Sequence, residues 1–269
     1  SSFYDCDPST SQTPLLDRLR KGYSLMCLIR HGGELGIRSK RDEQSEIRIG
    51  NLVLFPETYA TFPVHSNICF HAMKAFANHS FEDFRSLDEE SKNFIVQTGY
   101  GVMNSLDSAY RAAHHFPDED ETRTPGYSTY MRANDHDQFF TGIPDAIDKT
   151  KIIKQLREFI DRSVKGVRRF FKLVKPTDYE FLVLLGLGLW NDEISNVNEK
   201  LLKIAMRNRA LIMREMHSYY TQQGKLDYAV RIGHIYCVLV YFQNNTLKVG
   251  EDFQMFRLQG VFKDYFDKN

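Results

Sequence analysis

Apolar residues recur at spacings of three and four through most of the chain, while strict apolar/polar alternation is short and rare, so the pattern predicts an almost entirely helical protein. The first helix follows Thr13-Pro14, a capping residue and a first-turn proline, steps through Leu15, Leu19, Tyr23 and Met26 or Cys27, and stops near Gly32-Gly33. Residues 34–62 read as loop, with Ser39 to Glu46 charged and lacking any apolar face. Beyond Pro63, a helix carries Val64, Ile68, Ala72, Met73 and Phe76; another opens at the acids Asp88-Glu89-Glu90 and runs through Phe94, Ile95, Tyr100, Met103, Leu106 and Tyr110. Both are apolar on more than one side.

The stretch 114–150, with Pro117, the acidic run Asp118 to Glu121, Pro125-Gly126 and Pro144, is the longest irregular one. One long amphipathic helix is then expected from Ile152 to Val174, closed by Lys175-Pro176. Thr177 and Glu180 form a T-x-x-E capping box at the head of Tyr179 to Trp190, apolar all round and therefore central. Leu201 to Tyr219 marks another helix, closed by Gly224, and the last pattern runs from Leu226 to Phe242 and resumes from Phe253 to Val261.

Composition narrows the class. With 269 residues, 42% of them hydrophobic, the chain is long enough for a substantial core and excludes disorder. Lys+Arg and Asp+Glu both number 35, so no net field draws the chain to a polyanion. The longest apolar run, Phe181 to Trp190, is about half the roughly 20 residues of a bilayer span, so no membrane contact is expected. Cys6, Cys27, Cys69 and Cys237 lie far apart with no C-x-x-C pair, which fits a reducing compartment and argues against a zinc module. Ser1 to Cys6 lacks a signal-peptide pattern, and a start without Met suggests a processed chain or part of a longer one.

The order and spacing of three blocks resemble the ligand-binding domain of a nuclear receptor, in particular the divergent supplementary receptors of nematodes. Pro176-Thr177-Asp178-Tyr179-Glu180-Phe181 through Leu189-Trp190-Asn191-Asp192, then Leu201 to Tyr220, then Tyr228-Ala229-Val230-Arg231-Ile232 are similar to the family's helices 8, 9 and 10. Phe81 to Glu90 with Phe94-Ile95 resembles its F-x-x-L-x-x-x-D-Q-x-x-L-L signature, without the glutamine and with a one-residue shift. Ala109-Tyr110-Arg111 resembles the aromatic-arginine end of helix 5.

The resemblance implies an all-α, three-layer antiparallel helical sandwich spanning 1–269: helix 1 at 13–33, helices 3 to 5 at 63–113, and helices 7 to 11, with or without 12, at 151–269. It implies a transcription regulator of the nucleus with no enzymatic role and no cofactor, binding a hydrophobic or fatty-acid-like molecule or acting as an orphan. Ile68, Cys69, Ala72, Met73, Met103, Leu106, Asp107 and Tyr110 are the expected pocket lining, with Arg111 meeting a polar group of the ligand; the same residues also suit a ligand-free core. An L-x-x-L-L coregulator helix would be clamped by Lys74 and by Asp264, within the activation-helix-like hexad Val261 to Phe266; the alternative is that this hexad ends helix 11. Homo- or heterodimerisation would use Ile232, Ile235, Leu239 and Phe242, a stripe equally compatible with intrachain packing. DNA would be met only through a zinc module outside this chain.

Two other classes compete. A helical adaptor or dimerisation domain needs no ligand. His136-Asp137, with His114-His115 upstream, superficially suggests a metal-dependent HD phosphohydrolase, but the pair lies in a polar, irregular stretch, and ligands need rigid support. No G-x-S-x-G, H-E-x-x-H, P-loop or Rossmann fingerprint occurs; Gly186-x-Gly188 lies inside an apolar helix.

Overall fold

The computed structural model describes residues 13–37, 46–132, 135–140, 143, 147–159, 164–191, 194, 198–225 and 227–261. Within them the helices are α1 (Pro14–Leu35), α2 (Phe62–Ser80), α3 (Glu82–Arg85), α4 (Glu89–His115), α5 (His136–Phe139), α6 (Lys149–Phe159), α7 (Lys165–Val174), α8 (Asp178–Leu189), α9 (Glu199–Gln222) and α10 (Tyr228–Leu258). The strands are β1 (Ile47–Ile49), β2 (Leu52–Pro56) and β3 (Thr129–Tyr130). The fold is the all-α helical sandwich of nuclear-receptor type that the resemblance implies, with a small sheet at one edge.

α8 is buried on every side from Glu180 to Leu189, because its sequence offers no polar face. It packs on α4 to form the middle layer, with α1 and α2 on one side and α7 and α10 on the other. Its start is the expected capping box: the Thr177 hydroxyl accepts from the Glu180 N–H, and Glu180 accepts from the Thr177 N–H at 2.7 Å. Glu180 also takes the Tyr220 hydroxyl of α9 and the Arg231 guanidinium of α10 (Nη2–Oε2 2.6 Å), so one carboxylate joins three helices. Across the core, Trp190 meets Phe81 and Phe84 edge-on at 5.5 and 6.2 Å, uniting two of the blocks that carried the resemblance.

Several local readings change. Pro14 does begin α1, but Thr13 makes no capping hydrogen bond through its side chain; the Leu15 and Leu16 N–H groups donate instead to Glu215 of α9, at 2.9 and 2.8 Å. A distant carboxylate thus does the work of a local cap. The 34–62 stretch contains β1 and β2, a hairpin turning at Gly50 (φ +59°), and β2 then pairs in parallel with β3 inside the irregular 114–150 segment. These strands are too short for a period-2 pattern to stand out, and the second pairing is non-local.

From Ile152 to Val174 the described helices are α6 and α7, and 160–163, between them, lie outside the described residues. Helix α10 is continuous through the polar gap at Gln243 to Asp252. Backbone hydrogen bonds carry a helix across such a gap when the polar residues face solvent or a cavity.

Candidate ligand cavity

The expected pocket residues divide between core and ion network. Cys69, Ala72, Met73, Met103 and Leu106 are buried in the main core, and Ile68 is half-buried against Gly33 of α1. Tyr110 stacks on Phe181 at 3.8 Å, and its hydroxyl donates to Asp178 at 2.7 Å. Asp107 is fully buried and accepts from Arg30, from Arg111 Nε at 2.9 Å and from the Tyr23 hydroxyl at 2.8 Å. Burial by itself would raise its carboxyl pKa; the Arg111 and Arg30 guanidiniums, with the hydrogen bonds from Arg30 and Tyr23, outweigh that and bring it to about 2.

Arg111 spends its other donors on the carbonyls of Thr124 and Gly126, both at 2.9 Å. Arg30 lies 3.8 Å from Glu34, which accepts from the Tyr127 and Ser128 N–H groups at 2.7 and 2.6 Å. In this arrangement Asp107 and Arg111 bind α1, α4 and residues 124–128 together, and a ligand would have to break those bonds to reach them.

The cavity lies on the other face of α4. It measures about 250 Å³ and is lined on α4 by Tyr100, Gly101, Asn104, Ser105, Ser108, Ala109 and Ala112. Steps of three and four place the small side chains among them, Gly101, Ser105, Ser108, Ala109 and Ala112, in one stripe, which leaves room that bulkier residues would fill. Opposite stand Asn245, Thr246, Val249, Gly250 and Phe253 of α10, with Phe62, Phe159, Val164 and Arg168 from the helices around and Thr122, Arg123 and Pro125 from the segment after α4. None of the nine expected ligand residues lines this wall. The stripe was legible in the spacing of α4; the part played by α10 was hidden in its polar gap.

Arg168 is buried and donates to the Ala109 and Phe116 carbonyls, while its Nε has no hydrogen-bond partner. Arg123 sits over the Phe159 ring, 5.4 Å from its centroid, and burial lowers its pKa to about 10.

At the end of α10, Gly260 takes φ +86°, its N–H donates to the Arg257 carbonyl and the Val261 N–H donates to the Phe256 carbonyl, both at 2.9 Å. Val261 is fully buried beside Phe256, which completes a Schellman stop. The helix therefore ends before the hexad, which corrects the reading of 261–266 as its continuation; Asp264 and the rest of the hexad lie outside the described residues. Lys74, on α2, reaches Glu89 (2.6 Å) and Asn93 (2.7 Å) at the start of α4.

The proposed dimerisation stripe is also corrected. Ile235, Leu239 and Phe242 are buried in the chain's own core and Ile232 packs against it, because this is the face α10 turns toward α7, α4 and α8. Its outer face carries Val230, Val240, Leu247, Met255 and Leu258. His136 is buried in α5, with neither ring nitrogen hydrogen-bonded, and its pKa is lowered by burial and by the Arg157 and Arg123 guanidiniums. Among the described residues no group of three or more His, Cys, Asp or Glu could hold a metal ion, and no helix is long and apolar enough to cross a membrane.

Residues 66–259 match the family described as the ligand-binding domain of nuclear hormone receptor. Two relatives from Caenorhabditis elegans are each 21% identical: nuclear hormone receptor family member nhr-16, aligned over 94% of this chain, and high zinc activated nuclear receptor protein, aligned over 89%. The alignments cover 64% and 60% of those relatives, so the chain spans about three fifths of their length.

Proposed function

The chain belongs to the nuclear hormone receptor ligand-binding domain family, and from that premise we propose that it binds a small hydrophobic molecule between α4 and α10 and couples occupancy to coregulator recruitment. The observation that carries this reading is the cavity: about 250 Å³, walled by the small-residue stripe of α4 and by Phe62, Phe159, Val249 and Phe253. Its size is just under the roughly 300–1,000 Å³ of drug-sized ligand sites, which favours a compact ligand. The nine residues expected from the sequence act in this reading as the rigid wall behind the stripe.

Coregulator docking follows from the family's mechanism, in which a terminal helix completes a groove for an L-x-x-L-L helix. Lys74, at the junction of α2 and α4, supplies the positive charge for the carbonyl end of that peptide, and Asp264 supplies the acid for its amide end. The parent protein in this reading is a nuclear transcription factor that meets DNA through a zinc module outside this chain and performs no catalysis. Activation by zinc, reported in the name of one relative, is not carried over, because the described residues assemble no metal-ligand group.

The test is native mass spectrometry of the chain purified without added ligand, with Ser105→Phe as a filled-cavity control. A stoichiometric small-molecule adduct on the parent chain, absent from Ser105→Phe, is expected. An empty parent chain whose melting temperature no apolar probe raises would leave the adaptor reading in its place.

A further inference from the structure

Between the end of α4 and β3 the chain runs as a strap along α7, and its two ends are fixed differently from its middle. At one end the Phe116 carbonyl accepts from the buried Arg168 guanidinium. At the other, Arg123 and Met131 exchange backbone hydrogen bonds of 2.9 and 3.0 Å, and Arg111 holds the Thr124 carbonyl at 2.9 Å from inside the core. Between these anchors three successive acids each take a different cation. Glu119 receives the Arg132 guanidinium through bonds of 3.0 and 3.1 Å, Asp120 the Lys172 ammonium, and Glu121 that of Lys165 at 2.6 Å. Lys165, Arg168 and Lys172 stand at steps of three and four, so one stripe of α7 holds the strap.

The six ion-paired side chains are partly exposed, whereas Phe116 and Thr124 are buried. Ion pairs at a surface lose much of their strength in salt, and buried hydrogen bonds do not. Thr122, the residue after the acids, donates its hydroxyl to Glu119 and is part of the cavity wall. We propose that residues 117–122 form an ionically latched door of the α4–α10 cavity, hinged at Phe116 and Arg123: the three pairs keep it shut, and their release swings Thr122 out of the wall. The hydrogen bonds from Arg132 and Lys172 lower the carboxyl pKa values of Glu119 and Asp120, the direction expected of acids engaged in the folded state. This rests on the cavity being the ligand site and describes how that site is entered.

Two measurements on the purified chain, at about 0.05 M and about 0.5 M KCl, test the latch and the door separately. Amide hydrogen exchange reads the latch. The Glu119 and Thr122 N–H groups, bonded to the Phe116 and Glu119 carbonyls, are expected to exchange at least about fivefold faster at the higher salt, with Arg123 and Met131 unchanged. Lys165→Glu combined with Lys172→Glu should reproduce this at low salt, and adding Asp120→Lys and Glu121→Lys, which reverses the pairs, should restore protection. Stopped-flow binding of N-phenyl-1-naphthylamine, an uncharged fluorescent probe that salt does not steer, reads the door. Its association and dissociation rates should rise together with the exchange rates, leaving affinity within about twofold. Exchange indifferent to salt overturns the latch, and the parent chain decides this even if the variants do not fold. Exchange that responds while both probe rates stay fixed overturns the door but leaves the cavity reading standing. A probe that binds at neither salt concentration overturns the cavity reading, and the door with it.

Discussion

Asp107 shows how one side chain can settle the role of its neighbours. From the sequence it stands a helical turn before Arg111, and both suit a polar ligand anchor. In the fold it is fully buried between Arg30 and Arg111, and each partner has its own further bonds. Replacing Asp107 by Asn leaves Arg111 in the interior without its counter-charge and Arg30 with only Glu34, 3.8 Å away, so a loss of about 3–5 kcal/mol in unfolding free energy is expected by urea denaturation. A loss below about 1 kcal/mol would show the network to be dispensable. The carboxyl pKa falls from 3.8 to about 2 on folding, so its contribution is complete above pH 4 and is lost as pH drops toward 2. Stability of the parent chain should fall across that window, and Asp107→Asn should flatten this part of the profile.

Among elements, α4 and α8 cross backbone to backbone at Gly99. A methyl group on Gly99 would lie 2.9 Å from the Gly188 carbonyl oxygen and 3.1 Å from the Leu189 Cα, and neither backbone atom can turn aside. Gly99→Ala should therefore push the helices apart and cost about 1–3 kcal/mol, whereas Gly32→Ala, on α1 with nothing within 4 Å, should be neutral or stabilising by up to about 1 kcal/mol. Thermal unfolding of the two variants side by side checks this, and equal effects would contradict the close crossing. Gly188 thus belongs to helix packing, as its place in an apolar helix suggested. The capping box of α8 was equally legible, because its signal is local; the carboxylate that caps α1 comes from 200 residues away and leaves no trace near Thr13.

For the whole molecule, α10 serves two surfaces. Its inner face completes the core with Ile235, Leu239 and Phe242, and its outer face carries Val240, Leu247 and Leu258, with Leu247 62% exposed. Self-association along α10, which the family suggests, has only that outer face to use. Leu247→Glu is therefore expected to keep the chain monomeric in a light-scattering concentration series at which the parent chain associates. A parent chain that remains monomeric throughout, or a variant that associates equally well, would remove α10 from the oligomer. The same helix walls the cavity, which places occupancy and any interface on opposite sides of one rigid element.

What the sequence by itself determined was the helical class, the cap and centrality of α8, the family resemblance and the stop at Lys175-Pro176, all of which are written in spacings of a few residues. Only the tertiary structure decided which face of each helix meets which neighbour. Helix α4 is apolar or small on most sides, so periodicity alone could not tell the face packed on α8 from the face that leaves a cavity toward α10. Asp107 went to the ion network and Arg123 to the cavity for the same reason: where a charged side chain goes is set by what stands opposite it, and Arg30 and Phe159, the groups that stand opposite these two, lie tens of residues away in the chain.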